Sequence, residues 1–458
     1  MPQWRAALEH VPGWLTALAL LPPVGGAAWA LRPRLADTHR RGARVLEGRS
    51  AVRALRRRMR PGRLLLAGVP VTCSEETRHF KMIGTTGTGK STAIAALLAG
   101  ALGRGDRAVI ADPDGGYCAR FFQRRRGDVI LNPFEPQSVK WDPFAEIREP
   151  WDVEQLANGL IPSTEDAAAR EWRGYARTFL SAVVRRCCEC GWQDAGELWR
   201  LLTCASCAEL RPLVSGSPAQ PFLEADNARM FGSIRSVAAS ATAALEYVRA
   251  QRARRFSVRD WVAGGSGVLF MPYAPPQIPA LRTIIATWVR LAIFEALRAS
   301  DADRRLWFVV DELDSLGAID GLKDALARLR KFGGRCVLGF QSIAQVSSTY
   351  GHGEAQTLVE NCGNTLILRC SGSEHGGTSQ FASRLIGERE VVRRHTSRAR
   401  DGEWLRGRSA RRSTSVSEQR VTESAVLAAE IERLPDLSGY VKTAAAPDWL
   451  RVSFARGP

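Results

Sequence analysis

Acid is in short supply in this chain. Against 64 Lys and Arg stand 47 Asp and Glu, a formal net charge of +17 over 458 residues. That deficit makes a polyanion the expected partner: nucleic acid, a membrane surface, or both. Long apolar runs are scarcer still: residues 11–31 read as the one such run, which leaves no candidate for a second membrane helix. A disorder-prone composition is lacking too. With 45% hydrophobic and 24% charged residues, the chain reads as a folded protein with a sizeable core, long enough for two or three domains.

The run at 11–31 is long enough to span a bilayer as a helix. Pro22, Pro23, Gly25 and Gly26 interrupt it, so a kink or a loose helix is expected. Residues 32–63 then carry twelve Arg against Asp37 and Glu47. By the positive-inside rule this places the rest of the chain in the cytoplasm, and the same arginines suit anionic headgroups. The expectation is a single-pass membrane protein. A buried or interfacial helix is one rival. A cleaved signal is another, because Ala28-Trp29-Ala30 resembles a cleavage site. A second basic stretch, residues 393–412, has eight Arg against Asp401 and Glu403 and reads as a solvated segment.

Ten cysteines in a reducing compartment argue against structural disulfides. Cys187 and Cys190 form one CxxC pair, Cys204 and Cys207 another, a zinc signal by spacing alone. Yet Trp172, Tyr175, Ala176, Phe179 and Val183 recur at helical spacing just before the first pair. Cys187 to Cys190 therefore read as an extension of that helix, packing as small hydrophobes.

Gly84-Thr85-Thr86-Gly87-Thr88-Gly89-Lys90-Ser91 fits the phosphate-binding pattern GxxxxGK[ST] at every position. A short strand at 79–83 precedes it, and an Ala/Leu-rich helix at 92–102, opening on Thr92, follows. Glycines let backbone N–H groups curl around phosphates, and the helix N-terminus adds its positive dipole. Lys90 is assigned to the β- and γ-phosphates and Ser91 to Mg²⁺. The apolar run at 306–310 ends in Asp311-Glu312, the pattern of a buried parallel strand presenting carboxylates at its C-terminal edge. Asp311 is assigned to Mg²⁺ and Glu312 to the attacking water. Gln341, after the apolar run at 336–340, is a candidate contact to the γ-phosphate or that water. The cofactors expected are ATP and Mg²⁺.

Further strand-like runs at 107–111, 128–131, 268–271 and 365–368 alternate with helical stretches at 281–297 and 322–331. That alternation predicts a parallel α/β sheet. Residues 163–255 show only helical periodicity, at 171–186, 197–203 and 227–250, so an all-α domain inserted into the α/β domain is expected. The division is thus 1–63 anchor and basic segment, 64–162 and 256–458 the two parts of the nucleotide-binding domain, and 163–255 the insertion.

These residues resemble the type IV coupling proteins of conjugation. The likeness rests on the 84–91 loop, on Gly68-Val69-Pro70-Val71 ahead of Glu76 and His79-Phe80, on the 107–113 run ending in Asp112-Pro113, and on Ile130-Leu131-Asn132-Pro133-Phe134. It continues through Asp311-Glu312-Leu313, Gly339-Phe340-Gln341-Ser342 and Leu434-Pro435-Asp436-Leu437. The resemblance implies a RecA-like motor domain with an inserted all-α domain, a homo-hexamer at the inner membrane, and ATP-driven coupling of a relaxase-bound DNA strand to a type IV secretion channel. DNA contact is then mainly to phosphates, single-stranded and sequence-tolerant. Family members usually carry two membrane helices; one candidate here reads as a shortened member or one without its natural start. Hexamers of this kind use an arginine from a neighbouring subunit, for which Arg369, Arg330 and Arg384 are candidates. Two alternatives remain: a soluble FtsK-like DNA translocase, and a secretion-system docking or assembly ATPase that moves no DNA.

Overall fold

The computed structural model describes residues 38–164, 166–298, 304–374, 376–400 and 412–455. The apolar run at 11–31 and residues 401–411 of the second basic stretch lie outside the described residues. The chain divides into two compact units, Ala43–Gly387 with Ser424–Pro458, and Met1–Gly42 with Glu388–Glu423.

The larger unit is built on a ten-stranded sheet. Its strands are β1 (Val45–Leu46), β2 (Phe80–Ile83), β3 (Arg107–Pro113), β4 (Val129–Ile130), β5 (Val268–Tyr273), β6 (Leu306–Val310), β7 (Gly334–Phe340), β8 (Asn364–Ile367), β9 (Ser438–Lys442) and β10 (Trp449–Ser453), in the order β1-β10-β9-β8-β2-β7-β6-β3-β5-β4. From β8 to β4 every pairing is parallel, and β2, β5, β6 and β7 are buried along their whole length. Burial on both faces is why these segments read as unbroken apolar runs. The strand beside the phosphate loop, β7, separates β2 from β6, so the C-terminal ends of all three open on one edge. This is a RecA-like α/β fold. Strands β9 and β10 pair antiparallel beyond β8, and β1 closes the row parallel to β10.

Between Asp152 and Ala250 the described chain is helical. The long helix Ala167–Cys190 starts where the Asp166 carboxylate accepts from the N–H groups of Ala168 and Ala169, and stops at Gly191 with φ +74°. Cys187 is buried on it, whereas Cys190, Cys204 and Cys207 are exposed. Among the described residues no three His, Cys, Asp or Glu gather as a metal site. The periodic stretch at 227–250 is broken into Ala228–Ala241 and Leu245–Ala250. The stretch Pro275–Ala296 is apolar and long enough to cross a membrane, but its Trp288 and Leu291 are fully buried and it serves as a core helix.

In the smaller unit the second basic stretch is not simply solvated. Its first part belongs to the strand Glu388–Arg400, which lies between Thr38–Gly42 and Arg412–Ser424 in a three-stranded sheet. Glutamates spaced along the sheet absorb the charge: Glu390 takes Arg40 and Arg41, Glu423 takes Arg389 and Arg393, and Glu418 takes Arg394.

Candidate nucleotide-binding site

The phosphate loop leaves β2 at Ile83 and enters the helix Lys90–Gly103. Two of its glycines need left-handed backbone, Gly87 at φ +78° and Gly89 at φ +112°. The loop is held on its flanks. Thr85 N–H donates to the Arg369 carbonyl at 2.9 Å, Thr88 Oγ1 to the Thr85 carbonyl at 2.7 Å, and Leu437 N–H to the Thr88 carbonyl at 2.9 Å. A Cβ on Gly89 would lie 2.7 Å from Leu437 Cδ2, so the 434–437 segment packs directly over the loop. Thr92 follows half-buried in the first helical turn.

The reactive side chains converge on this loop. Lys90 is buried, and its Nζ donates to the Gly84 carbonyl at 2.8 Å. Burial pushes its ammonium below the ordinary value, while Asp311 and Glu312 pull it back up. Ser91 Oγ donates to Asp311 Oδ2 at 2.6 Å. The other Asp311 oxygen, Oδ1, is buried with no hydrogen-bond partner. A buried carboxylate oxygen without a donor is costly unless a cation or its water faces it. A hydroxyl and a carboxylate side by side at the start of a phosphate-loop helix are the oxygen donors that Mg²⁺ takes. The residues present therefore fit the metal.

A second chain of bonds runs beside the first. Thr86 Oγ1 donates to Gln341 Oε1 at 2.8 Å, and Gln341 Nε2 donates to Glu312 Oε1 at 2.8 Å. Burial raises the Glu312 pKa; the Gln341 bond opposes it and Asp311 adds to it. The structure thus brings Lys90, Ser91, Asp311, Glu312 and Gln341 to one sheet edge. All of these positions were singled out from the sequence.

Tyr117 was not. Its hydroxyl donates to Asp311 Oδ2 at 2.8 Å, the same oxygen that Ser91 holds. Burial raises its pKa, as does the neighbouring Asp311, so it stays a donor. The short helix Gly116–Phe121 places it, with Asp112 accepting from the N–H groups of Tyr117 and Cys118 at 3.0 and 2.6 Å. Burial lifts Asp112 to about 6. A tyrosine inside a short helix carries no local signature, and its partner lies 194 positions away. Of the candidate arginines, Arg369 is engaged within its own chain, paired to Asp436 at 2.7 Å and donating to the Leu434 carbonyl. Arg330 and Arg384 are exposed.

A family model described as the type IV secretion-system coupling protein DNA-binding domain matches residues 63–455. The coupling protein TraD of Escherichia coli (strain K12) is 28% identical over 403 residues, 86% of this chain and 54% of TraD. A conjugal transfer protein TraG of Escherichia coli is 24% identical over 314 residues, 59% of this chain and 48% of TraG. The chain thus spans about half the length of these curated relatives. Among solved structures, the bacterial conjugative coupling protein TrwBdeltaN70 in an unbound form superposes with a TM-score of 0.81 at 32% identity, covering 92% of this chain and 94% of that one. TrwB in complex with ADP and Mg²⁺ gives a TM-score of 0.79 at 32% identity, with the same 92% and 94% coverage.

Proposed function

The chain belongs to the type IV secretion-system coupling protein DNA-binding domain family, and on that premise we propose that it is an ATP-driven DNA motor of conjugative transfer. Its cofactors are ATP and Mg²⁺, in keeping with the TrwB structures titled as holding an ATP analogue and ADP with Mg²⁺. The observation that carries the hydrolytic reading is the pair of adjacent bond chains, Ser91–Asp311–Tyr117 and Thr86–Gln341–Glu312. A site built only to bind nucleotide does not require the second.

Ser91 and Asp311 hold the metal, which when bound offsets phosphate charge. Lys90 exchanges the Gly84 carbonyl for the β- and γ-phosphates. Glu312 accepts the proton of the attacking water; its raised pKa brings it nearer the operating pH than an ordinary glutamate. Gln341, bonded to both Glu312 and the loop residue Thr86, relays the presence of the γ-phosphate to the base. The loop glycines Gly84, Gly87 and Gly89, with Thr85, Thr88 and Thr92, shape the cradle.

In the full reading the anchor at 11–31 holds the chain in the inner membrane as a single-pass protein with the ATPase in the cytoplasm. Residues 163–255 form the inserted all-α domain between motor parts 64–162 and 256–458. Six copies form a ring that passes a relaxase-bound, single-stranded DNA to a type IV secretion channel. The +17 charge supports sequence-tolerant phosphate contact. Fluorescence anisotropy with two unrelated single-stranded oligonucleotides, read across a salt series, tests the DNA arm. Similar affinity for both, falling at least roughly tenfold between about 50 and 200 mM salt, is expected. Absence of binding returns the chain to the docking or assembly ATPase.

A further inference from the structure

The proposed motor does not use a cleft of 560 Å³ at the β1 edge of the large sheet. One wall is the helix Gly48–Arg58; the other is the loop between β9 and β10. Arg44, Arg53 and Arg57 line it and are exposed. None of the three has an ion pair or a side-chain hydrogen bond among the described residues, whereas the fourth lining arginine, Arg58, is committed to Glu75 at 2.7 Å. Asp448 is the one acidic residue in the lining. Apart from the hydroxyl of Ser50, the remainder is apolar or small: Leu46, Ala54, Ala445, Ala446, Pro447 and Leu450. Leu450 is buried, and Leu46 and Ala54 pack against the same core.

We propose that this cleft is a binding site for the headgroup of an anionic phospholipid. Three unpaired guanidiniums match a phosphodiester, and the apolar lining takes the glycerol and the first methylenes of the acyl chains. Single-stranded DNA fits less well, because the lining contains no aromatic side chain on which a base can stack. The site's place in the chain agrees. Arg44 lies 13 residues after the apolar run at 11–31, a reach of at most roughly 45 Å. This assignment rests on the membrane-anchored reading only for access to lipid, not for the chemistry of the cleft.

Native mass spectrometry of the full chain in dodecyl maltoside, titrated with phosphatidylglycerol or phosphatidylcholine, tests it without needing an intact bilayer. One retained phosphatidylglycerol per chain is expected, at a concentration about tenfold or more below that needed for phosphatidylcholine. Each arginine removed should weaken retention about fivefold, so the triple variant R44Q/R53Q/R57Q should lose the adduct while keeping its basal ATP turnover. Ala446→Trp fills the cleft and keeps every arginine, and it too should lose the lipid. Equal retention of the two lipids overturns the proposal, as does retention of phosphatidylglycerol by Ala446→Trp, which would mean diffuse charge attraction and no cleft. Displacement by millimolar inorganic phosphate would assign the site to free phosphate instead. Loss of oligonucleotide binding, with lipid retention unchanged, in the arginine variant would assign it to DNA. Partition of the wild-type chain into inner-membrane vesicles reports separately on the anchor.

Discussion

The roles proposed for Lys90 and Glu312 belong to different steps, and substitutions separate them. Lys90→Ala removes the buried cation at the head of the loop and should abolish hydrolysis together with tight nucleotide binding, read by turnover and by equilibrium binding of a fluorescent ATP analogue. Glu312→Gln keeps the bond to Gln341 in kind but removes the base. It should bind nucleotide within about threefold of wild type and lose at least roughly a hundredfold in turnover. Normal turnover by that variant would remove Glu312 from the assigned role. Tyr117 acts through Asp311. Tyr117→Phe deletes one of the two bonds at Asp311 Oδ2, worth about 1–2 kcal/mol. The Mg²⁺ concentration for half-maximal ADP binding should therefore rise about five- to thirtyfold, measured by fluorescence titration without any turnover. An unchanged Mg²⁺ requirement would leave Tyr117 a packing residue.

At the scale of elements, the site depends on how closely β7 approaches β6. A Cβ on Gly339 would collide with the Asp311 carbonyl and crowd its carboxylate. Gly339→Ala should cost about 1–3 kcal/mol and displace Asp311, seen as a lower Tm and weaker Mg²⁺-dependent ADP binding. The helix Gly48–Arg58 is latched to the rest of the larger unit by Arg58 on Glu75, at 2.7 and 2.8 Å. Burial opposes ionisation of Glu75, but hydrogen bonds from Thr443, Thr72 and Arg58 outweigh it and hold the carboxyl down at about 2, against an ordinary 4.5. A carboxyl that is more acidic when folded stabilises the fold above its unfolded pKa. That stability, at most about 3 kcal/mol, is lost as pH falls from 4.5 towards 2. Tm measured over this range should fall more steeply for wild type than for Glu75→Gln.

The elements also show what was legible beforehand. The seven parallel strands β2 to β8 announce themselves because burial on both faces forces apolar sequence, as in Leu306–Val310. The edge is silent. Strand β1 is two residues long, and Ser438–Lys442 mixes polar and apolar residues over five positions. The strand Glu388–Arg400 can be arginine-rich because Arg389, Arg393 and Arg394 are met across the sheet by Glu423 and Glu418, a compensation that no local window reveals. Lys90, Ser91, Asp311 and Glu312 were readable because phosphate and metal chemistry fixes their types and spacing. Tyr117 was not, since only the fold brings it to Asp311.

At the scale of the whole molecule, a RecA-like α/β fold and a strongly basic chain occur together, as the proposed DNA motor requires. The most direct test is steady-state ATP hydrolysis by the full chain, with and without single-stranded DNA, across protein concentration. An assembling DNA motor predicts turnover that rises more steeply than linearly with protein concentration, rises again with DNA, and vanishes in Lys90→Ala. Turnover strictly proportional to protein and indifferent to DNA would contradict it.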